Sequence, residues 1–174
     1  MIKIHNLILI SLFIFSFVCY SGDNKNIGND PKKEYKTGNT KPADDLKSYQ
    51  AIVPVIEKME WAFGRNYKPY SPTLEDIQIA EDVLLQCYNK ETSGTANPFF
   101  GRKIEDYNRQ FVGGEIEGGD KVTWINCFCK SESEILKKWK TEIILVAEGG
   151  NCFFHVNVNL KRKEYYGLMV NGMP

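Results

Sequence analysis

The stretch Lys121–Lys130, Lys-Val-Thr-Trp-Ile-Asn-Cys-Phe-Cys-Lys, constrains the fold more than any other part of the chain. β-Branched and aromatic residues dominate it, and alternation sends Ile125, Cys127 and Cys129 to one face and Trp124, Asn126 and Phe128 to the other. A strand loaded on both faces belongs in the middle of a sheet, with one side packed on a helix. The second such strand is Cys152–Leu160: Cys152, Phe154, Val156, Val158 and Leu160 alternate with Phe153, His155, Asn157 and Asn159.

A helix to cover the apolar face lies upstream. Thr73 followed by Asp76 forms a capping box, and Leu74, Ile77, Ala80, Leu84 and Cys87 fall on one helical stripe. A shorter helix is expected over Pro54–Phe63, where Ile56, Met59 and Phe63 recur at helical spacing and Gly64 supplies a stop, with Tyr49–Val53 extended ahead of it. Asn66–Pro72 reads as a connector. Tyr107–Val112 and Val122–Cys129 flank Gly113-Gly114 and Gly118-Gly119-Asp120, the pattern of a hairpin with glycine-assisted turns. Ser131–Lys138 forms a helical turn or an excursion, and Glu142–Glu148, Cys152–Leu160 and Tyr165–Val170 form a meander. The expected body is therefore α+β: one long helix and a short one on a curled four- to five-stranded antiparallel sheet, in a cystatin-like architecture.

The first residues set the compartment. Residues 1–21 carry Lys3 as their only formal side-chain charge and an apolar run from Leu7 to Val18, the layout of a signal peptide and short for a membrane span. Ser16-Phe17-Val18-Cys19 approximates the bacterial lipoprotein box, although Val18 stands where that box has a small residue, so Cys19 is the lipidation candidate. The alternatives are cleavage after Ser21 and retention as an uncleaved anchor. Residues 22–45 are polar, as a flexible tether is, and residues 46–174 make a single domain, about 130 residues being ample for one core and short for two. The expectation is an exported protein of the periplasm, outer membrane or medium, touching the membrane only through its signal or a lipid.

Four cysteines of the body, Cys87, Cys127, Cys129 and Cys152, can all point into the same core. In an oxidising compartment they are disulfide candidates, and four allow three full pairings. Cys127 with Cys129 is the least favourable, because side chains two apart on a strand project in parallel. Cys152 or Cys87 is the better partner for either, and buried free thiols are the alternative. Zinc is disfavoured, since the Cys-x-x-Cys knuckle spacing is missing.

The charges point away from several functions. Twenty-two basic residues balance twenty-two acidic ones. The short runs Lys137–Lys140 and Lys161–Lys163 read as solvated surface, with no nucleic-acid footprint. His155 is the one imidazole beyond the signal, and alternation turns it away from the inward thiols, which disfavours a Cys-His dyad. The sequence contains no Gly-x-Ser-x-Gly, Walker loop or His-Glu-x-x-His. Glu115, Glu117 and Asp120 read as a solvated hairpin tip. No catalytic residue, metal or cofactor is implied.

The far face, with Trp124, Asn126 and Phe128 beside Phe153, His155 and Asn157, mixes rings with amides as binding surfaces do. Either it recognises an envelope or extracellular protein or glycan, or an upstream segment folds over it and makes a second core. A binding protein is the leading reading, and a small extracytoplasmic enzyme with an unlocated site is the other.

Two resemblances add to this. Ala62-Phe63-Gly64, Gln110-Phe111-Val112-Gly113, Trp124–Cys129, Gly149–Phe154 and Val170-Asn171-Gly172 together resemble a group of small exported proteins of Bacteroidetes-type bacteria, which implies an envelope location and an α+β fold. Gln110-Phe111-Val112-Gly113-Gly114 resembles the Gln-x-Val-x-Gly hairpin wedge of cystatins. That resemblance implies inhibition of papain-like cysteine proteases through Gln110, Val112 and Gly114. The Pro-Trp of the family's second hairpin has no counterpart in this chain.

Overall fold

A computed structural model describes residues 45–55, 58–94, 96–99, 101–131 and 136–172. These belong to the compact unit Asn39–Pro174. The signal peptide, Cys19 and all of the tether but Asp45 lie outside the described residues.

The fold is α+β, with two α-helices and a six-stranded mixed sheet that does not close among the described residues. The strands are β1 (Gln50–Ile52), β2 (Lys68–Tyr70), β3 (Tyr107–Glu115), β4 (Lys121–Cys129), β5 (Phe153–Asn159) and β6 (Glu164–Val170). β3 to β6 form an antiparallel meander, while β1 and β2 share the outer edge of β3. β1 runs parallel to Arg109–Phe111, and β2 runs antiparallel to Gly113–Glu115. The expected all-antiparallel sheet of four or five strands is corrected on both counts by these two three-residue strands. Pro69 is tolerated in β2 because that strand lies at an edge.

The long helix α2 (Leu74–Thr92) opens with the Thr73/Asp76 capping box, both halves formed. It buries Ile77, Ala80, Val83, Leu84 and Cys87 against Phe111, Ile125, Cys127, Phe154, Val156 and Val158 of the near face. Leu74 departs from the expected stripe: it sits at the helix start and is exposed. The short helix α1 is a single turn, Glu60–Phe63, closed at Gly64 with φ of 82°. Helix is not formed at Pro54, Val55, Lys58 or Met59, so the expected start at Pro54 is corrected; Ile56 lies outside the described residues.

Two covers occupy the far face. The first packs Val53, Met59, Ala62 and Phe63 over Val112, Val122 and Trp124. Gly114 makes this possible, because a Cβ there would stand 2.6 Å from the Phe63 ring. Gly113 and Gly114 are therefore close-approach glycines inside β3, and the turn itself lies at Ile116–Asp120, where Gly118 and Gly119 take φ of 93° and 84°. The second cover is the strap 136–148, whose Leu136 and Ile144 bury against Phe128. The expected strand Glu142–Glu148 is not formed.

Cys129 and Cys152 are joined by a disulfide that ties the end of β4 to the start of β5 across 23 residues of sequence. Cys87 and Cys127 are free and buried. Burial pushes the Cys87 thiol up to about 12, with Glu91 adding to the shift, and burial raises Cys127 as well. Thiolates at either position are disfavoured, so both should resist a maleimide or a disulfide reagent in the native protein. Unfolding without reductant should release two body thiols, counted apart from Cys19. Four would show that the bridge does not form, and rapid native labelling would show the core to be open.

Candidate functional site

The residues expected to form an open recognition surface are placed under the covers. Trp124 and Phe128 are fully buried, and Asn126 and Asn157 nearly so. Only Phe153 and His155 of that set are half-buried. The broad binding face is thus corrected to a second core, because α1 and the strap supply apolar groups that cover it. Gln110, Val112 and Gly114 are likewise buried within β3, away from the Ile116–Asp120 turn, and do not form the exposed hairpin tip that the wedge resemblance implies. Gln110 has a different job. Its Nε2 donates to the carbonyls of Trp139 and Glu142, and its Oε1 accepts from the Ile144 amide and from Asn126 Nδ2. Asn126 Nδ2 also donates to the Ile144 carbonyl. Besides the apolar contacts of Leu136 and Ile144, the amides of Gln110 and Asn126 hold the strap to the sheet.

Between the two covers a cleft stays open, about 310 Å³ in volume. Its walls include Trp61 from α1, Asn126 from β4, Ile144–Ala147 from the strap, Phe153 and His155 from β5, and Asn171 just beyond β6. Trp61 is 55% exposed, with its ring edge-on to Trp124 at 5.2 Å and 6.2 Å from His155. Leu145, 63% exposed, belongs to the opposite wall. Asn171 Nδ2 donates to the carbonyls of Val146 and Glu148, latching the strap from its other end.

None of these lining residues carries a formal charge near neutrality. His155 is their only titratable group, and burial lowers its pKa from the usual 6.5, which keeps the ring neutral. Among the described residues, no lining carboxylate, amine or thiol is placed as its partner in acid/base or nucleophilic work. The arrangement suits recognition. On the same face, Trp124 Nε1 and Asn157 Oδ1 are buried without a hydrogen-bond partner among the described residues, and their residues pair directly across β4 and β5.

Glu115 and Asp120 sit at or beside the hairpin turn, where Asp120 accepts from Asn159 Nδ2 and pairs with Lys161 and Arg162. That hydrogen bond and the two cations lower its pKa. Among the described residues no cluster of three or more His, Cys, Asp or Glu is placed to hold a metal ion, and no helix is long and apolar enough to cross a membrane.

Trp61, Leu145 and Asn171 were not singled out by the sequence. A signal existed for Trp61: it stands two residues from Met59 and two from Phe63, so a helical turn that buries those turns Trp61 outward. Leu145 and Asn171 had none, because their positions depend on where the strap is latched. No protein-family model, curated protein or solved structure matches the chain.

Proposed function

We propose that this chain is an exported, envelope-associated binding protein that takes a small uncharged ligand into the cleft between Trp61 and the strap. The supporting observation is the exposed Trp61 ring at the mouth of a concave site whose polar groups are all neutral. An aromatic ring left in solvent at such a place offers contact area with little ordering cost. The export signal and the polar tether support the location, and lipidation of Cys19 would fix the protein to a membrane surface. The reading includes kinship with the small exported Bacteroidetes-type proteins and a cystatin-like crossing of α2 over β3 to β6, to which β1 adds a parallel edge.

Ligand-observed NMR with a library of low-mass neutral and charged compounds tests the binding reading. Neutral compounds should show contact with wild-type protein and lose it in Trp61→Ala, a substitution at a largely exposed position. If no compound's signal depends on Trp61 or His155, the cleft is not a binding site.

A further inference from the structure

We infer that the cleft recognises a neutral sugar ring, an inference that rests on the cleft being the binding site. The lining residues carry no charged side chain, so an ionised ligand group would lose water without gaining a counter-charge. Phosphorylated, acidic and amino sugars are thereby disfavoured.

The polar atoms left over narrow the chemistry further. Asn126 and Asn171 each spend Nδ2 on strap carbonyls, which fixes the amide orientation and leaves each Oδ1 as an acceptor. The His155 ring, with no side-chain hydrogen bond among the described residues, has one donor and one acceptor nitrogen while neutral. Several acceptors and a donor, set in a mostly apolar cleft, call for a ligand with both an apolar face and hydroxyl groups, each hydroxyl able to donate and accept.

Trp61 supplies the remaining requirement. Its exposed ring offers a flat apolar surface, and a pyranose presents a face of C–H groups between its hydroxyls. At about 310 Å³ the cleft lies at the lower end of the roughly 300–1,000 Å³ usual for small-ligand sites, which suits one ring better than a long chain.

The test is a titration of the purified full-length protein, followed by tryptophan emission and saturation-transfer NMR. The probes are methyl glucoside, methyl galactoside, methyl mannoside, N-acetylglucosamine and cellobiose, with glucuronate, glucosamine, cyclohexanol and indole as controls. At least one neutral sugar should bind saturably and perturb the emission, and Trp61→Ala should weaken it by about tenfold or more. His155→Ala should weaken it as well, with both variants keeping the wild-type Tm within a few degrees. If only the charged sugars or the apolar controls bind, and do so through Trp61, the sugar assignment is wrong while the cleft remains the site. If none of the sugars binds, the assignment is also wrong. If binding is indifferent to both substitutions, the cleft reading falls with it.

Discussion

Replacing Gln110 with alanine is expected to destabilise the protein by about 3–5 kcal/mol, since each buried polar group left unsatisfied costs roughly 1–3 kcal/mol. Gln110 is fully buried and joins β3 to three points of the strap: the carbonyls of Trp139 and Glu142 and the amide of Ile144. Its Oε1 also accepts from Asn126 at 3.0 Å. Alanine leaves those strap groups facing an apolar sheet, with a cavity where the side chain stood. Gln110→Met fills most of that space and removes the polar atoms, so it should recover only the packing part of the loss. Urea unfolding gives the total, and amide exchange at Ile144 shows whether the strap opens by itself or with the whole domain. A loss below about 1 kcal/mol with Ile144 still protected would mean that the strap is held by its apolar contacts alone.

This latch also explains which parts of the molecule were legible in the sequence. The period of α2 and its Thr73/Asp76 box are local, and they specify the same helix that packing requires. Alternation in β4 and β5 placed Ile125, Cys127, Phe154 and Val156 on the helix side. Long-range pairings were hidden. β1 and β2 are three residues each, too short for a periodic pattern, and their place at the edge of β3 depends on partners about 45 to 60 positions away. Residues 142–148 carry the apolar content of a strand, yet side-chain amides from β3, β4 and Asn171 take their backbone groups before a neighbouring strand can. Gln110, met as part of a Gln-x-Val-x-Gly string, looks like a surface wedge, because nothing in the string says which of its residues will be buried. The cleft was partly visible through Asn126, Phe153 and His155, while Trp61, Leu145 and Asn171 complete it from three other segments.

On the opposite face of the sheet, truncating Arg109 to alanine should cost about 3–5 kcal/mol, the usual penalty for breaking a buried ion pair by removing one member. Arg109 is 4% exposed on β3, and its Nη1 meets Glu81 of α2 at 3.1 Å. Its Nη2 donates to the Ile104 carbonyl at 2.7 Å, and Tyr49 stacks 4.8 Å from the guanidinium carbon. Gln50 of β1 donates to the same Glu81 oxygen at 2.7 Å, so one carboxylate binds helix, central sheet and parallel edge strand together. Without the arginine, Glu81 keeps Gln50 but loses its counter-charge in a largely buried place. The pair itself is not worth that much, because both charges were desolvated to make it and Arg109 Nε has no partner among the described residues. The double variant Arg109→Met, Glu81→Leu should therefore recover at least half of the loss of Arg109→Ala, while Glu81→Leu alone should stay strongly destabilised by the unpaired guanidinium. Urea denaturation of the wild type, Arg109→Met, Glu81→Leu and the double variant closes the cycle, with Arg109→Ala measured beside them as the truncation. If the double variant is as unstable as the sum of the singles, Arg109 and Glu81 are energetically uncoupled and the argument from a stranded buried charge is wrong.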